Sequence, residues 1–398
     1  MGFKGKGTLV MGQKIEVTIE KVAHGGHFIA RHEGAVIFIR HAIPGEKVLI
    51  TITSVGASFL RADVVEVLEP SDDRVQPPCD FAYAGGCGGC DFQHISVERQ
   101  LRLKSQVITE QFSRIAKMDI DIDVESIGEP THWRSRVTAT SDAQGRLGFI
   151  ASRSHSVIPI TDCTIAVPQI QMNELTKRMW PASSRIEIST SSQGERVISI
   201  GSTEIIEGDP ILHEEVGDKV LQVHHQSFWQ GHRIAPKTLT EVVKNMAGVK
   251  EGDHVLDLYG GVGLFTAALV DEIGQSGLIE LVEGSTFATK DAQVNFASYP
   301  QVKVHNGNVQ RVVRFIDSAD VVVLDPPREG AGKEIILRLG EIGSRTIVYV
   351  ACDPAALARD TTYLIDSGYQ LQQMRAFDLF PMTHHIEIVA QFTRNDVS

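Results

Sequence analysis

The chain has 398 residues, 42% hydrophobic and 22% charged, the profile of an ordinary globular protein long enough for two or three domains. No apolar run of about 18 residues occurs and the opening MGFKGKGTLVMGQKIEV lacks an apolar core, which argues against a membrane span or a secretory signal and makes the cytoplasm the expected location. The net charge of −12 argues against a nucleic-acid binder as a whole, but residues 1–61 carry eight Lys and Arg against four Asp and Glu, a +4 module on a −16 body, which predicts an anionic partner for that module.

Residues 8–69 alternate strand-like runs with glycine-rich turns. Lys14 to Glu20 has strict period two, and His27 to Ala30, Ala35 to Ile39, Lys47 to Ile52 and Arg61 to Leu68 follow, separated by Gly25-Gly26, Gly34 and Pro44-Gly45. Five short strands at this spacing predict a small barrel, with Phe28, Phe38, Arg31 and Arg40 as candidates for a face that binds single-stranded nucleic acid. The turn ARHEGAVIFIRHAIPGEKV resembles that of a TRAM domain, a small RNA-binding barrel.

A polar, proline-rich boundary at 69–78 leads into a cysteine loop. Cys79, Cys87 and Cys90 form C-x7-C-x2-C, with Cys163 as the plausible distant fourth partner, and the glycines around Cys87 and Cys90 let several thiolates face one centre. Five cysteines, the last being Cys352, do not make a complete disulfide framework, so metal-binding or catalytic thiols fit better. Four thiolates suit zinc or an iron–sulfur cluster, and spacing alone does not choose. Residues 96–117 predict a helix with Ser96 as N-cap and its excess of Lys and Arg on a solvated face. Residues 118–218 read as strand-rich, with Trp133 to Ala139 as an arginine-rich edge strand; His132 and His155 fall in loops and receive no role.

From residue 219 strands and helices alternate, with a helix starting near Ala235-Pro236. His254 to Phe265 reads as strand, glycine-rich turn and helix, and a second strand ends at Glu283, where an acid can bind both hydroxyls of a ribose. NAD is the rival ligand. The turn is Asp-x-Tyr-Gly-Gly-x-Gly, however, and an acid beside the glycines suits the amino group of a methionine moiety, which favours S-adenosylmethionine. Val302 to Asn308 and Asp320 to Arg328 supply a third and fourth strand with their exit loops, the latter ending in Asp325-Pro326-Pro327. Thr346 to Ala351 predicts a buried parallel strand ending at Cys352, where Pro354 turns the chain and open α/β sheets place their ligands.

A thiolate there can add to carbon 6 of a uracil ring, and a general base must then take the carbon-5 proton; Glu387, in the apolar run Ile386 to Val389, is the candidate. In order, the barrel, the cysteine loop, the Phe-x-Gln element ending at Gln230, DLYGGVGLF, Glu283, LDPPR, ACDPA and HHIEIVAQF resemble the uracil-C5 RNA methyltransferase family over nearly the whole chain, in its branch with a TRAM domain and an iron–sulfur cluster. That resemblance implies a multidomain fold: a TRAM/OB-like β-barrel over 1–70, a central α+β region with the cluster over 71–218, and an α/β Rossmann-like class I methyltransferase over 219–398. It implies that Cys352 is the nucleophile and Glu387 the proton acceptor, and that Cys79, Cys87, Cys90 and Cys163 hold a [4Fe–4S] cluster. Gln230, Tyr259, Gly261, Gly263, Glu283, Asn308 and Asp325 are the expected contacts of the methyl donor. Gly260, Leu264, His232, Asn308 and Asp353 depart from the commonest pattern of the family.

The expected substrate is structured RNA, 23S ribosomal RNA first and the T-loop of tRNA second, with no protein partner and a monomeric state. A cytosine-C5 RNA methyltransferase and a non-enzymatic RNA-binding protein are the alternatives.

Overall fold

A computed structural model describes residues 9–56 and 58–394. Lys4 and Lys6, counted above in the basic module, lie outside the described residues. The N-terminal module has six strands rather than five: β1 (Lys14–Thr18), β2 (Lys21–Ala23), β3 (His27–His32), β4 (Ala35–Arg40), β5 (Lys47–Val55) and β6 (Leu60–Glu69), in the order β1-β5-β6-β4-β3-β2. Period-two alternation turns Val48, Ile50 and Ile52 of β5 inward, as β-pleating requires. Phe28 is a correction to the expected binding face: it is fully buried and packs on Phe92 with ring centroids 5.9 Å apart. Arg31 is paired with Glu20. The barrel core runs without a break through Leu103 and Ile108 to Ile347 and Ile388, so the barrel is packed onto the rest of the molecule.

Helix α1 (Val97–Gln111) starts where expected, the Ser96 hydroxyl accepting from the Arg99 N–H, and runs into a π-helical turn over Phe112–Ala116. Its basic residues do not all face solvent. Lys104 is buried, donating to Asp378 at 2.6 Å and to the Phe380 carbonyl at 3.2 Å. After β7 (Val124–Ser126) comes a six-stranded antiparallel sheet of β8 (Arg136–Ser141), β9 (Leu147–Ile150), β10 (Val157–Pro159), β11 (Arg185–Thr190), β12 (Arg196–Ile200) and β13 (Glu204–Glu207), with the short helix α2 (Met172–Leu175) beside it. The expected arginine-rich edge strand is not at an edge. β8 lies between β9 and β11, and Trp133 before it is buried, because the apolar residues Val137 and Ala139 belong to the core of this sheet. A hairpin of β14 (Ile211–Val216) and β15 (Lys219–His224) leads out of it.

The last sheet has eight strands. β16 (His254–Leu258), β17 (Leu278–Glu283), β18 (Val302–Asn306), β19 (Val321–Leu324) and β20 (Thr346–Ala351) run parallel, β21 (Tyr369–Asp378) and β22 (Glu387–Arg394) form an antiparallel pair, and β7 adds to the far edge. The order is β18-β17-β16-β19-β20-β22-β21-β7. Helices α3 (Ala235–Ala247), α4 (Leu264–Leu269), α5 (Thr286–Asn295), α6 (Val309–Val312), α7 (Lys333–Ile342) and α8 (Pro354–Asp366) accompany it. The strands β19 and β20 are buried at every position, as a sheet covered on both faces demands. No helix of the described residues is long and apolar enough to cross a membrane.

Candidate active site

The sheet order builds the site. β16 and β19 are neighbours although far apart in sequence, so the crevice beyond their carboxyl ends lies at the point where strand order reverses. The residues that follow β16, β19 and β20 are Tyr259, Asp325 and Cys352. β22 runs the other way, pairing Ile388 with Ala351, so its first residue, Glu387, stands beside the end of β20. Four chain segments thus deliver four chemical groups to one edge. A cleft of about 860 Å³ is lined by Cys352, Glu387, Asp325, Tyr259, Gly261, Glu283 and Gln230 together.

The turn after β16 is held open by its own hydrogen bonds. Tyr259 has φ 60° and Gly261 φ 57°, left-handed geometry that a non-glycine residue adopts at a cost and that recurs at functional sites. Asp257 is buried beneath it, its Oδ2 accepting from the Thr266 N–H at 3.0 Å and hydroxyl at 2.6 Å. Burial pushes its carboxyl up to about 6. Glu283 Oε2 accepts from the Gly261 N–H at 3.0 Å and Oε1 from the Ser285 N–H at 2.6 Å, which fixes this acid at the end of β17 facing the glycine turn.

The groups around Cys352 suppress one another's charge. Burial first, then the Glu387 and Asp325 carboxylates, push the Cys352 thiol up to about 12, with Arg328 opposing them. Burial, reinforced by Asp325, holds the Glu387 carboxyl well above the usual range, and burial with Asp257 raises that of Asp325. Arg328 opposes the shift of Glu387 only in part, and a buried glutamate at a strand end costs stability and fits a group kept for proton transfer. Glu387 is 4% exposed, so it is not the solvated face of a half-buried strand.

Gly263 and Asn308 are not in the cleft lining. Gly263 starts α4 at φ 98°, and a Cβ there would collide with the Phe296 ring, so its role is the close approach of helix to neighbour. Asn308 is exposed and precedes α6. Three residues given no role by the sequence, Arg328, Phe380 and His385, line the cleft with Cys352. Arg328 Nη2 lies 3.3 Å from His385 Nε2, and both sit within motifs, LDPPR and HHIE, that marked the place without marking the residue. His232 is buried and stacks on Trp133 at 5.4 Å, packing the loop that carries Gln230.

The cysteines expected to hold a metal centre also meet. Cys79, Cys87, Cys90 and Cys163 line one cavity of about 400 Å³, although Cys163 lies 73 positions after Cys90. Cys87 bridges to Ala151 at the end of β9, and the Gly88 N–H donates to the Ile150 carbonyl, so the loop is bound to the central sheet. All four are free thiols; burial pushes Cys90 up to about 12 and Cys163 to about 11, and neighbouring thiols add to both shifts. An all-sulfur donor set around one cavity fits a thiophilic metal centre. Among the described residues no three His, Cys, Asp or Glu side chains form a group that could hold a metal ion by themselves.

The TRAM domain model matches residues 10–65, and the tRNA (uracil-5-)-methyltransferase model matches residues 315–394. An uncharacterised RNA methyltransferase of Streptomyces coelicolor is 40% identical over 96% of this chain and 93% of its own length. One of Corynebacterium efficiens is 36% identical over 97% and 96%. Among solved structures, the tRNA (uracil-54, C5)-methyltransferase of Pyrococcus abyssi, in complex with S-adenosyl-L-homocysteine, superposes with a TM-score of 0.74 over 95% of this chain and 100% of its own. At 20% identity that likeness is one of fold.

Proposed function

The chain belongs to the RNA (uracil-5-)-methyltransferase family, and from that premise we propose that it methylates carbon 5 of a uridine in structured RNA, 23S ribosomal RNA first, with Cys352 as nucleophile and Glu387 as proton acceptor. The observation that carries this reading is the shared cleft: Cys352 and Glu387 face the same space as Gln230, Tyr259, Gly261, Glu283 and Asp325. S-adenosylmethionine, when bound, supplies an electrophilic methyl group on a positively charged sulfur. Glu283, fixed by the Gly261 and Ser285 N–H groups, would accept hydrogen bonds from the ribose hydroxyls of that donor. Gln230 and Tyr259 flank the turn and orient the donor.

The Cys352 sulfur adds to carbon 6 of the ring, and the electron pair of the 5,6 double bond moves onto carbon 4 oxygen as an enolate. With the donor bound, carbon 5 of that enolate would form the bond to the methyl group as the sulfur–methyl bond breaks and its electron pair returns to sulfur, leaving S-adenosylhomocysteine. Glu387 then takes the carbon-5 proton, the ring double bond re-forms and the thiolate leaves. Burial and the neighbouring carboxylates raise the Cys352 pKa, and Arg328 is the cation at hand to favour the thiolate that attacks. The target base must be unstacked to reach the cleft, at a cost of a few kcal/mol that is smallest in single-stranded or loop RNA.

The four-thiol cavity supports a [4Fe–4S] cluster on Cys79, Cys87, Cys90 and Cys163. Four thiols suit zinc as well as a cluster, and the choice of a cluster rests on the family resemblance. The cluster resemblance is also what favours ribosomal RNA. The tRNA uridine modified by the Pyrococcus abyssi enzyme is the second substrate to test, since the two proteins share a fold.

The test is donor-dependent tritium release from 5-tritiated uridine in unmodified ribosomal RNA and tRNA transcripts, run in parallel with anaerobically purified protein. Release from ribosomal RNA alone is expected. Release from tRNA alone would move the substrate, and release from neither would remove the carbon-5 assignment. Iron and sulfide analysis of the same protein should find both; a colourless protein containing only zinc would defeat the cluster.

A further inference from the structure

The space behind the nucleophile is closed by the N-terminal barrel. A second cavity, about 190 Å³, lies against Cys352 and is lined by His24, Gly25 and Gly26 of the β2–β3 turn and by Asp353 and His384. Cys352 lines both this cavity and the cleft, so the thiol sits in the partition between them.

Two contacts tie the barrel turn to the catalytic strands. His24 Nε2 lies 2.9 Å from Asp353 Oδ2. Asp353 is the residue after the nucleophile, and its other oxygen, Oδ1, accepts from the Ala355 and Ala356 N–H groups at 3.0 and 2.8 Å to cap α8. One carboxylate therefore fixes the whole link between β20 and α8 on which Cys352 stands. The second contact is at Gly26, φ 77°, where a Cβ would lie 2.7 Å from the His384 ring. His384 is held from its other side by Asp91 at 2.6 Å and precedes Glu387 by three residues.

The His24–Asp353 pair is partly exposed, 39% and 23%, so it adds little to overall stability. Its effect is on position. Burial opposes ionisation of Asp353, but His24 and the two N–H donors hold its carboxyl below the usual range, as an acceptor for all three.

We propose that His24 is a positioning residue for the reaction, and that the barrel, through His24 on Asp353 and Gly26 on His384, holds the Cys352 and Glu387 segments in working register. The barrel is then a wall of the active site as well as an RNA-binding module. This rests on the roles given above to Cys352 and Glu387.

The experiment compares full-length wild type, His24→Ala, His24→Gln, Asp353→Asn and the double variant His24→Ala/Asp353→Asn. Tritium release gives kcat and KM, and amide hydrogen exchange reads peptides covering 352–357 and 384–387. His24→Ala is expected to lower kcat about tenfold with RNA and donor KM changed less than about twofold, because misplacement of a reacting group is felt in the chemical step. His24→Gln, whose amide can donate to the same oxygen, should recover most of the rate, and the double variant should be no slower than His24→Ala. An unchanged kcat, a loss confined to RNA KM, or additive losses in the double variant would overturn the proposal. If the wild type releases no tritium, the chemical reading fails by itself. Exchange then decides the positioning claim: faster exchange in both peptides for His24→Ala but not for His24→Gln sustains it, and identical exchange sinks it.

Discussion

Burial and neighbouring carboxylates raise the pKa of both the Cys352 thiol and the Glu387 carboxyl, and in the proposed reaction each must give up a proton before it can act. For an acid whose pKa is raised in the fold, the active base is absent at low pH and grows in as pH rises. The single-turnover rate is therefore expected to climb with pH, and a flat profile would contradict the proposed acid–base roles of Cys352 and Glu387. Substitution separates the two roles. Cys352→Ala should abolish turnover and leave S-adenosylhomocysteine affinity intact by calorimetry, since the thiol is not needed to bind the donor. Glu387→Gln should slow tritium release by about 10²-fold or more while a covalent protein–RNA adduct accumulates on denaturing gels, because the methylated ring cannot lose its proton and release the cysteine. Adduct in the Cys352→Ala protein would place the nucleophile elsewhere.

At the scale of the element, α1 shows how a basic helix can be read wrongly. Its charge excess suggested a solvated face, yet Lys104 points into the core against Asp378 of β21 and the Phe380 carbonyl, beside the loop that leads to Glu387. Desolvation lowers the Lys104 pKa and Asp378 opposes that shift, so the ammonium survives only as part of the pair. Lys104→Met is expected to destabilise by about 3–5 kcal/mol in chemical denaturation, because it strands Asp378, whereas Lys104→Met with Asp378→Leu should come back to near wild type. A single variant as stable as wild type would mean that the pair is solvated in solution. The arginine-rich strand β8 is a parallel case. An isolated run of Trp, Arg, Ser and Val does not tell which neighbours it will have, and β9 and β11 close over both its edges.

For the whole molecule, the central sheet has its own hydrophobic core, separate from the two cores that flank the catalytic sheet. The thiol cavity adjoins that unit, with Phe81, Phe149 and Cys163 packed against its core, while Cys90 and Cys163 also pack with Met382 and Phe380 ahead of β22. In the proposed cluster, loss of one ligand should act first on these loops. Cys163→Ser is expected to lose iron and visible absorption and to melt earlier, since metal binding is coupled to folding of its ligand loops, while S-adenosylhomocysteine affinity stays within about twofold of wild type. Full iron content in the Cys163→Ser protein would remove Cys163 from the ligand set. The barrel differs: its core is continuous with the catalytic sheet, so it is not a module free to move on a linker.

What the sequence determined by itself was local. Period-two alternation, the glycine turn after β16, the Pro354 break after Cys352 and the cysteine spacing are each written in a few neighbouring residues, and they located β16, β17, β19 and β20 and the family. The pairing of distant segments was decided only in three dimensions. That Glu387 faces Cys352 follows from the antiparallel register of β22 on β20; that Gly263 and Asn308 stand outside the cleft follows from the directions of α4 and α6. The His24–Asp353 contact joins residues 329 positions apart. A side chain's local sequence sets its conformational preferences, but its burial, its charge state and its partner depend on which strands lie beside it, and those are set by the packing of the whole chain.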